Sequence, residues 1–212
     1  MKKYLVFGIV ILFSFRAGAQ NDDHQDTRKK TESFARLQPK NVRAEVATFA
    51  LAGIAESVGA LPLEKICYKS FSSDSMIFEG NGIKAIIKIA PFDAAKHKLT
   101  YDFDDKFLVK IDRKTYYGGY GKIPKTSISN ISMMIGNDTV FIPPAAYADL
   151  HNLNFTYNDK GVKRTTDAIY KSRDGQRFYL YLFCKDNSGN YEVTWIVQDG
   201  KYWRRVLDYD LL

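Results

Sequence analysis

From about residue 64 onward, the apolar residues of this chain recur at every second position. In the run from Ile83 to Ile89, Ile83, Ala85, Ile87 and Ile89 share one face, while Lys84 and Lys88 share the other. Phe107, Val109 and Ile111 alternate with Leu108, Lys110 and Asp112. Tyr191, Val193, Trp195 and Val197 alternate with Glu192, Thr194, Ile196 and Gln198. Side chains of an extended strand point to opposite faces in turn, so the pattern restricts the chain to sheets with one buried and one wetter side. The turns agree. Asp174-Gly175 and Asp199-Gly200 sit between β-rich runs, and Asn81-Gly82 and Gly136-Asn137 are similar. Only Gly, Asn and Asp readily supply the positive φ of the tight hairpin turns. The last fifty residues read as a meander over about 162–171, 176–184, 190–198 and 201–208. The fold class expected is mainly β, an antiparallel β-sandwich with a β-barrel as the alternative.

Two segments break the pattern. Pro143-Pro144 precedes good helix formers, and proline suits a first helical turn, so a short helix is expected near 144–150. Further back, Val42, Val46, Phe49, Ala50, Ile54 and Val58 recur at helical spacing, with Asn41 and Gly59 placed to cap a helix over 42–58. The Val, Thr and Phe content of 46–51 also suits a strand.

The N-terminus reads as an export signal. Met1-Lys2-Lys3 is basic, Tyr4 to Phe15 is almost wholly apolar, and Ala17-Gly18-Ala19 offers small residues before a cut at Ala19-Gln20. A dozen apolar residues is short of the roughly 20 needed to span hydrocarbon, so no transmembrane anchor is expected. Removal of Lys2, Lys3 and Arg16 takes the formal charge from +7 to +4. Residues 20–40 are polar, with Phe34 and Leu37 the only large apolar side chains, and are expected to form a flexible leader. Residues 41–212 are then a single β-rich domain, exported to the periplasm or beyond.

Two longer stretches carry a resemblance. One runs from Ile142 to Phe155 (IPPAAYADLHNLNF) and the other from Tyr191 to Tyr209 (YEVTWIVQDGKYWRRVLDY). Together they resemble a family of small, exported, β-rich bacterial proteins without an assigned activity. The resemblance covers the C-terminal half. It implies an exported bacterial protein and carries over no site residue.

Motifs for chemistry are sparse. Ala55-Glu56-Ser57-Val58-Gly59 is close to a nucleophile elbow, but that device needs a strand before the serine and a helix after it. A helix end or loop is the better reading. The histidines, His24, His97 and His151, and the cysteines show no zinc spacing, and no metal or other cofactor is expected. Asp102 and Asp104 could face calcium, though a calcium cage needs six to eight oxygens and a solvated turn explains them better. Gly118-Gly119-Tyr120-Gly121 lacks the lysine of a phosphate loop. The mild, scattered charge excludes nucleic acid as an expected partner. Arg204-Arg205, the densest basic spot, reads as blunting of a sheet edge.

Aromatics are the most suggestive feature. Tyr116, Tyr117 and Tyr120 lie in a glycine-rich loop and Trp203 on a terminal strand, and these four are the expected ligand-binding residues. The opposing reading is that the rings cap the core. Cys67 and Cys184 form a possible disulfide, which the chain-entropy model values at about 4–5 kcal/mol, or else two separate thiols. The function expected is binding without catalysis, with a glycan or another envelope protein as partner. The alternatives are a hydrolase of cell-surface polysaccharide using strand-borne carboxylates, and a structural envelope component. Oligomeric state is not legible.

Overall fold

A computed structural model describes residues 28, 30–102, 105–119, 121–185 and 190–211. The export signal expected over 1–19, the leader as far as residue 27 (His24 included), Asp104 and Tyr120 lie outside the described residues.

Fourteen strands follow one another among the described residues. They are β1 (Glu64–Ile66), β2 (Tyr68–Phe71), β3 (Ser75–Gly80), β4 (Ile83–Pro91), β5 (Leu99–Tyr101), β6 (Leu108–Ile111) and β7 (Thr126–Ile135). The series continues with β8 (Asp138–Val140), β9 (Tyr157–Asp159), β10 (Val162–Arg164), β11 (Ala168–Lys171), β12 (Arg177–Cys184), β13 (Tyr191–Gln198) and β14 (Lys201–Tyr209). Two five-stranded antiparallel sheets form the body, in the orders β1-β11-β12-β13-β14 and β2-β3-β4-β7-β8, with β5-β6 and β9-β10 as separate pairs. Both large sheets keep open edges, so the fold is a sandwich and not a barrel. One continuous core joins them: Met76, Phe78, Ala85 and Ile87 from one sheet meet Leu180, Leu182, Val193 and Trp195 from the other.

The predicted turns form where Asn, Asp or Gly can bear positive φ. Asn81 and Gly82 have φ of 51° and 75°, and Asp199 and Gly200 have 51° and 71°. The β9-β10 hairpin was not anticipated, because its turn places Lys160 at φ 51° before Gly161. It splits the first strand of the expected meander, as Val162–Arg164 pairs back on Tyr157–Asp159 while β11 begins only at Ala168.

One expectation about the sheets is corrected. In β12 and β13 both faces are buried, because a third layer covers the second one. Phe34, Leu37, Val42, Val46 and Ala50 pack on Tyr179, Tyr181 and Ile196. The polar groups on that face are satisfied by the layer itself. Glu192 accepts from the backbone N–H groups of Leu51 and Ala52 at 2.8 Å each and from the Tyr181 hydroxyl. Asp208 accepts from the Phe34 N–H at 2.8 Å, and Glu45 accepts from the Tyr179 hydroxyl and from Arg177. A buried carboxylate costs stability unless it is hydrogen-bonded, so each acid fixes a point of the layer. The polar stretch up to residue 40 is therefore not a flexible leader throughout: from Lys30 it lies on the body, with Phe34 and Leu37 buried.

The expected helix over 42–58 is shorter. An α-helix, α1 (Lys40–Ala47), is followed by a 3-10 turn at Leu51–Glu56. The chain doubles back so tightly that a β-carbon on Gly53 would lie 2.6 Å from Ala47 Cα. Phe49, which a continuous helix would place on its stripe, stacks on Tyr170 with ring centroids 4.1 Å apart. The short helix expected at 144–150 is a 3-10 turn at Pro144–Ala146. Alternation also fails in β6, where Leu108 and Ile111 are both buried. Val109 is the unpaired residue of a bulge, which flips the side-chain parity between them.

Candidate functional site

One concavity is a cleft of about 760 Å³, within the range of ligand sites in proteins. Five separated stretches wall it: the β2-β3 turn with Ser72 and Ser73, Ile89 of β4, Gly119 with the segment from Lys122 into β7, the segment 152–156, and β10 through Lys163. Its chemistry is one-sided. Lys122, Lys125 and Lys163 line it, together with hydroxyls, carboxamides, the rings of Phe71 and Phe155 and the aliphatic Ile89, Ile123 and Leu153, and among the described residues no acidic one does.

The lysine loop is held from behind. The Tyr116 hydroxyl lies 3.0–3.2 Å from the carbonyl oxygens of Leu108, Gly119 and Lys122, bridging both ends of the loop. The Asn152 carboxamide oxygen accepts from the Lys125 N–H at 2.8 Å and from the Thr126 N–H at 3.3 Å. Gly118 passes the next segment so closely that a β-carbon there would lie 2.1 Å from the His151 carbonyl oxygen, and its φ is 83°. Only glycine fits both demands. Backbone bonds from Tyr117 N–H to Asp149 O and from His151 N–H to Tyr117 O, each 2.9 Å, stitch the two walls together.

His151 sits behind this seam. It is 1% exposed, neither ring nitrogen has a hydrogen-bond partner among the described residues, and Phe92 and Tyr116 meet it edge-on. Burial pushes its pKa down to about 4, so the ring is neutral at ordinary pH. Asp167, 2% exposed, accepts from the Phe183 N–H with one oxygen, and the other has no partner among the described residues; burial pushes its pKa up to about 7.

The expected binding residues are not brought together. Tyr116 and Tyr117 are 1% and 5% exposed, which corrects the expectation that they face a ligand. Tyr116 braces the lysine loop, and Tyr117 belongs to the main core beside Tyr209. Apolar ring area is the reason: a ring on a loop flanked by flexible glycines can fold inward and leave water. Trp203 is 40% exposed, but it is the unpaired residue of a bulge in the edge strand β14, with the Arg204 guanidinium over its ring, and does not line the cleft. Arg205, read as an edge charge, is buried and held by Asp149 and Glu32.

Cys67 and Cys184 are free thiols, the first exposed and the second buried, which corrects the possible disulfide. The Cys184 thiol donates to the Asn152 carbonyl oxygen at 3.2 Å. Ser57 closes a 3-10 turn and donates to the Ile54 carbonyl oxygen, without the strand an elbow requires. Asp102 accepts from the N–H groups of Lys106 and Phe107, as a turn residue does. Among the described residues no cluster of three His, Cys, Asp or Glu side chains could hold a metal ion, and no helix is long and apolar enough to cross a membrane.

The lysines escaped sequence reading because lysine is common on every solvated face. Lys122 and Lys125 flank Pro124 beside the glycine loop, which was a usable signal, and Asn152 and Asn154 lie in one of the resembling segments. Lys163 carried none, since only the β9-β10 pairing brings it to the cleft. Comparison with protein-family models, with curated proteins and with solved structures finds no match to this chain.

Proposed function

We propose that this chain is an exported binding domain that holds a glycan of the cell envelope in the 760 Å³ cleft and performs no bond chemistry there. The observation that carries the reading is the cleft's lining: cations, hydroxyls, carboxamides, the rings of Phe71 and Phe155 and a few aliphatic side chains, with no carboxylate pair for glycoside hydrolysis among the described residues. Ser72 has a neighbouring carboxylate, Asp74, but its hydroxyl holds that carboxyl below the usual range, which makes it a poor base. Hydroxyl-rich chains suit such a surface, because amide and hydroxyl groups bond to sugar hydroxyls while a ring such as Phe71 covers a sugar's apolar face. A concave site also favours a chain-like ligand over the flatter surface of a protein partner. Export rests on the basic, apolar and small-residue order of residues 1–19.

The test is a glycan array with parallel capture from a native envelope fraction, using the unaltered chain and Asn154→Trp, which fills the cleft from an exposed position. Glycan binding should be lost in the variant at an unchanged melting temperature. Binding that survives the filled cleft would remove the reading.

A further inference from the structure

We infer that the cleft selects an anionic glycan, one whose sugars carry carboxylate or phosphate groups. The inference rests on the cleft being the binding site and adds the sign of the ligand's charge.

Three lysines from two segments far apart in sequence converge on one concave surface: Lys122 and Lys125 from the loop before β7, and Lys163 from β10. All three are exposed, and none is in an ion pair among the described residues. Their neighbour Arg164 is neutralised by Asp159 at 2.8 Å, so the same hairpin carries an acid and does not spend it on the cleft. Asp74, which directly follows the lining residue Ser73, is engaged by the Ser72 hydroxyl at 2.6 Å.

Like charges around a concavity repel one another and focus a positive field into it, an arrangement that an entering anion relieves. The loop is also held ready. Tyr116, 1% exposed, bonds to the Lys122 carbonyl, and Asn152 accepts the Lys125 N–H, so two of the three ammonium groups hang from a backbone already fixed. A pre-set backbone lowers the ordering cost of binding, leaving mainly the flexible lysine stems to be fixed. Tyr116 is a positioning residue on this account and touches no ligand, while Asn152 both holds the loop and lines the cleft.

The experiment titrates the full chain with three oligosaccharides of equal length: a uronic-acid oligomer, a sugar-phosphate oligomer and a neutral glucose oligomer, each at 50 and 500 mM salt. At least one anionic probe should bind ten-fold or more tighter than the neutral one and weaken several-fold at high salt. Which anionic arm binds tells carboxylate from phosphate. The triple variant Lys122→Ala, Lys125→Ala, Lys163→Ala should lose thirty-fold or more, roughly three-fold for each ammonium removed, while Lys110→Ala with Lys114→Ala leaves binding unchanged.

Equal binding of neutral and anionic probes, or full affinity in the triple variant, overturns the charge inference. The cleft reading survives that outcome if Asn154→Trp still abolishes binding. Binding of neither anionic probe also overturns it. So does lysine-dependent capture of a protease-sensitive partner in place of a glycan, which would give the cleft to an acidic protein.

Discussion

The guanidinium of Arg205 and the carboxylate of Asp149 meet in two parallel hydrogen bonds of 2.6 and 2.7 Å, tying the edge strand β14 to the proline-led segment that runs on into the inner wall of the cleft. The Ala146 carbonyl oxygen joins the clamp, accepting from Arg205 at 3.2 Å and from the Trp195 indole at 2.9 Å. Asp149→Asn leaves a buried guanidinium without its main counter-charge, and a loss of about 3–5 kcal/mol is expected in urea unfolding. Arg205→Lys should lose a comparable share, because a single ammonium cannot reproduce the fork. A loss below 1 kcal/mol in both would show the clamp to be dispensable.

Gly118→Ala should be among the most damaging one-atom changes in the chain. The added methyl meets the His151 carbonyl oxygen at 2.1 Å, and the backbone there holds φ at 83°. A destabilisation of at least about 2 kcal/mol is expected, with impaired ligand binding, since the two cleft walls are stitched at this point. Gly136→Ala is the control: it bears positive φ but meets nothing within 4 Å, so its loss should be smaller.

Replacement of the aromatics separates core from surface. Tyr116→Ala should lower stability by about 3–5 kcal/mol, the range for deleting a buried ring. Trp203→Ala, at the exposed bulge, should change it by less than about 1 kcal/mol. Thermal melts of the two side by side decide the matter, and similar losses would contradict their different burial.

Asp167 and His151 make stability depend on pH in opposite senses. The folded-state pKa of Asp167 is raised from 3.8 to about 7, so between those values the folded protein keeps a proton that the unfolded chain has released; stability falls as pH rises through the window. The folded-state pKa of His151 is lowered from 6.5 to about 4, so the unfolded chain takes up a proton that the folded protein refuses; stability falls as pH drops through that window. The two effects offset each other between about pH 4 and 6.5. Asp167→Asn should therefore raise stability at pH 8 by roughly 2–4 kcal/mol and steepen the loss on acidification, while His151→Leu should flatten the acid side. Urea unfolding at pH 4.5, 6 and 8 reads both, and curves parallel to the unaltered protein would contradict the burial argument.

The thiols offer a chemical check. Cys67 should react with an aqueous alkylating reagent in the folded state, and Cys184, with no exposed surface, only on unfolding. Two protected thiols in native conditions would put Cys67 elsewhere.

Strand positions, hairpin turns and the sandwich class were written in local pattern. The alternation of Ile83, Ala85 and Ile87 with Lys84 and Lys88, and the Asn81-Gly82 and Asp199-Gly200 turns, depend on side-chain parity and φ preference, which act over a few residues. What neighbours each face of a strand is not local. The alternation of Glu192 and Thr194 with Val193 and Trp195 identifies two faces of β13, yet only packing of the Phe34–Ala50 layer decides that the polar one is dry and that Glu192 must take N–H groups from Leu51 and Ala52. Val109 and Trp203 show the same limit, since a bulge is defined by the partner strand. The cleft is the extreme case. Ser72, Lys122, Asn152 and Lys163 share no motif, and they become one surface only because the pairing of distant strands fixes where their loops end.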